Sequence, residues 1–171
     1  ARGIRIILDF VLNHISESHP WFIEARTDKN SLRRHYFLWS DTGKELADSW
    51  NAFPGLKPSN WIRNDPTDDY YYATFYPQQP DLNWDNPEVF EGMMAHMEFW
   101  ADRGVDGFRL DAAGSLTKRE GTFSKGLPEN HHILKRVRKR LDERYDGNIA
   151  LLAEVHVEIQ GMKAYFGDGD E

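Results

Sequence analysis

Apolar residues crowd the start of the chain, where Ile4-Arg5-Ile6-Ile7-Leu8 is broken only by one Arg and gives way to the polar residues Asp9, Asn13 and His14. A short β-branched and Leu run of this kind predicts a buried strand with chemically active groups at its carboxyl end. From Ile15 to about Asp85 neither strand nor helix periodicity is sustained. Trp21, Trp39, Trp50, Trp61, Tyr70, Tyr71, Tyr72, Phe75, Tyr76 and Trp84 are scattered there among Pro, Gly, Asn and Asp. So long an irregular excursion marks a functional loop or a small inserted subdomain.

Order returns at Asn86-Pro87-Glu88, which supplies a cap, a first-turn Pro and a first-turn acid. Phe90, Met93, Met94, Met97 and Trp100 then recur at helical spacing until Gly104. Val105 to Ala112 reads as a second strand, Gly114 to Pro128 as a loop, and Ile133, Leu134, Val137 and Leu141 as the apolar stripe of a second helix. A third strand is expected over Ile149 to Val155. Strand, helix, strand, helix, strand is the order of parallel α/β units. All three strands end in polar residues, as barrel enzymes require, and none is followed by a Gly-rich phosphate loop. That makes a dinucleotide-binding sheet the weaker reading.

Composition narrows the classes. The 171 residues carry 21 Lys plus Arg against 28 Asp plus Glu, a net charge of −7, which argues against nucleic-acid or anionic-membrane partners. No apolar stretch is long enough to span a bilayer. The absence of Cys removes disulfides, thiol nucleophiles and thiolate metal sites. The basic run Lys135 to Arg140 sits on an amphipathic helix and reads as its solvated face, and the Met residues read as core. Of the aromatic rings, most are expected to fill a minor core and one or two to face a ligand. His35, His96, His131, His132 and His156 show no paired metal-ligand spacing. Ala1-Arg2-Gly3 runs straight into a strand and the chain closes on Gly167 to Glu171, so an internal excerpt of a longer protein is expected.

Alternation places Gly107, Arg109 and Asp111 on one face of the second strand and Phe108 and Leu110 on the other. A guanidinium beside Asp111 would keep that carboxylate ionised and able to act as a nucleophile. Glu154 ends the apolar run Ile149 to Ala153, where burial would keep its carboxyl protonated. Two carboxyls in contrasting environments, about 5 Å apart, are what retaining glycoside hydrolysis demands. Taken singly, Arg109 with Asp111 would more often be a structural ion pair, and Glu154 an exposed loop acid.

Together these stretches resemble the α-amylase superfamily of glycosidases and transglucosidases, and the resemblance covers essentially the whole chain. Asp9-Phe10-Val11-Leu12-Asn13-His14 looks like its motif at barrel strand three, Gly107-Phe108-Arg109-Leu110-Asp111-Ala112 like that of strand four, and Leu151-Leu152-Ala153-Glu154-Val155 like that of strand five. Gln79-Pro80-Asp81-Leu82-Asn83 resembles a further motif near the end of the family's inserted domain. The implied fold is a partial (β/α)8 TIM barrel, strands three to five, with an irregular domain inserted after strand three. Residues 1–14 would form strand three, 15–85 the insert, and 86–171 helix three through strand five and beyond.

The resemblance implies Asp111 as nucleophile, Glu154 as general acid and base, and Arg109 as the group orienting Asp111. His14 would bind the sugar, with Gln79 and Asp9 as further substrate-binding candidates, Asp9 being chiefly structural in the family. Asn13 and Asp81 match positions that hold a structural calcium in many members. No cofactor is required for the chemistry.

The branch implied contains oligo-1,6-glucosidases and trehalose synthases. Arg119 to Thr122, Leu127 to His131, Leu134 to Arg138 and Tyr165-Phe166-Gly167-Asp168 are similar to the latter. Val155-His156-Val157-Glu158-Ile159 departs from the Ala-Asn-Gln-Trp-Pro that usually follows the acid in the trehalose synthases. The expected reaction is interconversion of maltose and trehalose through a covalent glucosyl-Asp, on small α-linked glucosides, in the cytoplasm. The alternatives are an α-glucosidase or amylase hydrolysing short α-glucans, and a non-catalytic barrel serving as a transporter or binding subunit. The family's third acid, in an Asn-His-Asp motif, is not in this sequence. The isolated segment is therefore expected to be inactive and prone to aggregate.

Overall fold

A computed structural model describes residues 3–166, so Gly167 and Asp168, part of one motif above, lie outside the described residues. The elements run β1 (Ile7–Val11), α1 (Pro20–Thr27), β2 (Trp39–Ser40), β3 (Trp61–Asn64), β4 (Asp69–Tyr72), α2 (Pro87–Ala101), β5 (Gly107–Asp111), α3 (Pro128–Tyr145), β6 (Ala150–Ala153) and α4 (Ile159–Met162). They divide into two compact units. One comprises the chain up to Leu12, Phe90–Leu116 and the chain from Gly126 onward; the other comprises Asn13–Val89 and Thr117–Lys125.

The first unit is built on a parallel sheet of order β1-β5-β6, in which Asp9 pairs with Arg109, and Arg109 with Leu152. Gly107 is the point of closest approach. A Cβ there would lie 2.6 Å from the Ala150 carbonyl oxygen and 2.9 Å from the Ala150 Cβ, so a side chain would push the strands apart. One face carries Phe108 and Leu110, both closed to solvent, with Phe10 edge-on to Phe108 at 5.6 Å. Leu110, Leu151, Ala153, Leu134 of α3 and Tyr165 line a cavity of about 50 Å³ on this side, so α3 covers it. Ile133, Val137 and Leu141 of α3 and Met93, Met94 and Met97 of α2 are buried as the helical spacing predicts. Trp100, expected on the same stripe, is half exposed in the last turn and stands edge-on to Phe99.

The other face of that sheet is open. Ile7 and Leu152 are 53% and 59% exposed, which corrects the expectation of a buried first strand. The reason is alternation: these residues share the face of Asp9, Arg109 and Asp111, and α3 lies on the opposite side.

The second unit has its own antiparallel sheet, of order β2-β4-β3. Aromatic rings fill its interior: Phe22 meets Phe37 and Tyr71 edge-on at 5.0 and 4.9 Å, and Trp61 meets Tyr72 at 4.9 Å. A buried ion pair, Arg34 with Asp69, anchors the sheet to the turn before it, and the Arg34 guanidinium lies 3.2 Å from the Trp39 ring centroid. Helix α1 starts at Pro20, capped by His19 Nδ1, which accepts from the Trp21 amide at 3.1 Å.

Candidate functional site

In the parallel-sheet unit, one guanidinium gathers three carboxylates. Arg109 Nη1 donates to both oxygens of Asp9, at 2.7 and 2.8 Å, and lies 3.0 Å from Asp111 Oδ1; Nη2 lies 2.9 Å from Glu154 Oε2. The strand register makes this possible. Asp9 is directly opposite Arg109, Asp111 follows two residues later on the same face, and Glu154 comes just after the end of β6. The site sits on the open face, with Arg109 one-third exposed and Asp9 61% exposed.

Asp111 and Glu154 are hydrogen-bonded to each other. The charge order departs from expectation. Burial, the hydrogen bond and the negative charge of Glu154 together hold the Asp111 carboxyl above its ordinary value, against the pull of Arg109. Burial also pushes Glu154 up, but the Asp111 hydrogen bond and the Arg109 and His156 charges outweigh it, and Glu154 sits below its ordinary value. These two directions run against the charge order expected from the sequence. Burial is the largest cause for Asp111, the more shielded acid at 27% exposed against 37% for Glu154, and the Arg109 Nη1 that faces it also serves Asp9. Asp9, Arg109 and the Asp111 and Glu154 carboxyls thus place two interacting carboxyls and a cation within bonding reach, the groups that proton transfer coupled to nucleophilic attack requires.

The remaining candidates lie in the second unit. His14 is buried, bridges by backbone to Asp81, and packs on Phe75 with ring centroids 5.2 Å apart. Gln79 is half-buried, and its Oε1 accepts from the Tyr76 amide at 3.3 Å.

Asn13 and Asp81 are fully buried and do converge, but on an ammonium. Lys118 Nζ lies 2.9 Å from Asn13 Oδ1 and 2.9 Å from Asp81 Oδ2, while Asp81 also accepts from the Thr74 amide at 2.9 Å and the Thr74 hydroxyl at 2.5 Å. Calcium takes six to eight oxygens. Here the space between the two oxygens is held by a side-chain cation, and no group of three or more acidic or His residues capable of holding a metal occurs among the described residues. The donor set does not fit calcium. Lys118 was missed in the sequence because a Lys in a polar loop gives no signal of burial.

An α/β unit that gathers a guanidinium and three carboxylates on the open face of a parallel sheet defines a protein equipped for acid–base and nucleophilic chemistry. The alpha-amylase catalytic-domain model matches residues 1–171, and the chain belongs to that family. It is 48% identical over 170 residues to a trehalose synthase of Thermus thermophilus, covering 99% of this chain and 18% of that protein. It is 43% identical over 119 residues to an oligo-1,6-glucosidase of Parageobacillus thermoglucosidasius, covering 68% of this chain and 21% of that protein. Among solved structures, isomaltulose synthase from Klebsiella sp. LX3 superposes with a TM-score of 0.85 at 32% identity, covering 96% of this chain and 32% of that one. The chain thus spans less than a third of the length of each of these relatives.

Proposed function

We propose that this chain is the part of a retaining, trehalose-synthase-like transglucosidase that carries its covalent chemistry, acting on small α-linked glucosides such as maltose and trehalose. In this reading β1, β5 and β6 are strands three to five of a (β/α)8 barrel, and the aromatic-rich segment is the domain inserted after strand three. The observation that carries it is the pair of carboxyls, Asp111 and Glu154, held by the single guanidinium of Arg109.

The reaction needs one proton on the pair, and in this reading the two carboxyls share one. Its position must change: entry of the glucoside breaks the Asp111–Glu154 bond, the proton passes to Glu154, and Arg109 stabilises the freed Asp111 anion. Asp111 then attacks the anomeric carbon while Glu154 protonates the departing glycosidic oxygen, forming the glucosyl ester and freeing glucose. The retained glucose turns and attacks with its anomeric hydroxyl, whose proton goes to Glu154 as Asp111 leaves. The product is an isomer of the substrate, and no atom enters from outside. Water in place of glucose gives hydrolysis, the glucosidase alternative.

His14 and Gln79 are assigned to sugar hydroxyls, and Asp9 to holding Arg109. Lys118 does the structural work that calcium does in other members, and the steps above balance with protein groups alone. A cytoplasmic setting completes the reading; no helix among the described residues is long and apolar enough to cross a membrane.

Incubating the full-length enzyme with maltose and resolving glucose from trehalose tests this. Trehalose as the main product supports the reading, and glucose alone replaces it with hydrolysis. A glucosyl-trapping reagent should label Asp111, and labelling elsewhere would overturn its role.

A further inference from the structure

Ala112 follows Asp111 directly and has φ 53° and ψ 29°, a left-handed conformation that residues with a Cβ avoid. In the parallel-sheet unit the other described non-glycine residue with positive φ is Asp146, which caps α3, where this conformation is routine. Strain retained beside reactive groups is a pointer to function, because the surrounding structure must over-determine it.

The over-determination is visible. An extended residue 112 would carry the chain onward along the sheet. The kink folds it over the end of β6 instead, where the Ala113 amide donates to the Glu154 carbonyl oxygen at 3.2 Å. The Ala112 amide in turn donates to the Glu154 carboxylate. The following turn is clamped at a single acceptor, the Gly114 carbonyl oxygen, by the Gly126 amide at 2.7 Å and by Asn130 Nδ2 at 2.7 Å. Asn130 is fully buried in the first turn of α3, and Gly114 is closely packed, its missing Cβ position lying 3.7 Å from Val155 Cγ1.

We propose that the backbone turn at residue 112, clamped through the Gly114 carbonyl by Asn130 and Gly126, is the device that sets Asp111 against Glu154, which makes Asn130 a positioning residue for glucosyl transfer. This rests on the transglucosidase reading above. Asn130 does not touch substrate; it acts through the two acids.

The test compares A112G, N130A and the double variant in the full-length enzyme, following kcat, KM and the pH profile on maltose. A112G should stay within about threefold of wild type with its pH limbs unmoved, because Gly adopts the left-handed region freely. N130A should lose about tenfold or more in kcat with KM changed less than about threefold, since small misplacement of reacting groups is costly. Its acidic limb should move up in pH as Glu154 loses a donor. Adding A112G to N130A should recover part of kcat, because Gly enters the left-handed turn without the strain that the clamp otherwise has to oppose. Wild-type kcat and pH profile in N130A, or a loss that A112G does not relieve, overturns the proposal.

Crystal structures of A112G and N130A read the geometry without turnover. The Asp111–Glu154 hydrogen bond should persist in the first and be lost in the second, and its persistence in both overturns the proposal. Should wild type fail to act on any α-glucoside, the functional reading falls, while these structures still decide whether the turn positions the acids.

Discussion

Lys118 Nζ stands 2.9 Å from Asp81 Oδ2, and both side chains are closed to solvent. A buried pair of this kind contributes little over an apolar replacement, yet losing one partner strands the other's charge. K118A in the full-length enzyme should therefore lose about 3–5 kcal/mol of stability in urea unfolding. EDTA and added calcium should leave the melting temperature of the wild type unchanged. A calcium-dependent rise in that temperature would show that a metal displaces the ammonium.

The Asp111 carboxyl is raised above its ordinary value, chiefly by burial, so between its unfolded and folded values the folded state binds a proton that the unfolded chain has released. For a group raised in this way, the stability it contributes is complete at low pH and is lost as pH climbs through its folded value. D111N keeps the shape and the donor without the titration. It should abolish turnover, by at least about a thousandfold. It should also melt higher than wild type by a margin that grows as pH rises above about 4 and then levels off. Equal pH dependence in the two proteins would contradict the raised value of Asp111.

Asp9 takes two of the hydrogen bonds that Arg109 could offer the other acids. In D9N the guanidinium is released and a negative charge disappears from the cluster, and both changes lower the values of Asp111 and Glu154. The acidic limb of the kcat/KM profile should shift to lower pH. An upward shift would mean that Asp9 serves chiefly to aim Arg109 at the pair.

G107A places a methyl group 2.6 Å from the Ala150 carbonyl oxygen. Overpacking a sheet contact costs about 1–3 kcal/mol. Because Arg109 and Asp111 follow on the same strand, activity should fall with stability. Melting and kinetics of G107A check both, and a neutral result would mean that β5 and β6 separate easily.

What could be read beforehand depended on how local the determinants were. Helix α2 was legible because Asn86-Pro87-Glu88 and Gly104 bracket a periodic Met-rich stripe, and β5 because Gly107 to Asp111 alternates polar with apolar. The second unit was not. Its strands are two to four residues long, Tyr70-Tyr71-Tyr72 masks alternation, and α1 is a short helix capped by His19 rather than a customary capping residue. The convergence of Asp9, Arg109, Asp111 and Glu154 followed from strand faces. The direction in which each acid shifts did not, because that depends on burial and on how one guanidinium divides its donors among three carboxylates. Lys118 lies 105 residues from Asn13, so only folding brings them together.

Thr117–Lys125 belongs with Asn13–Val89 although the chain between them builds β5. The aromatic unit is consequently stitched from two separate stretches of polypeptide, and cutting out the longer one would orphan the cation that serves Asn13 and Asp81. Chimeras that swap this region between relatives must therefore transplant both pieces, with Lys118 travelling alongside its two oxygen donors.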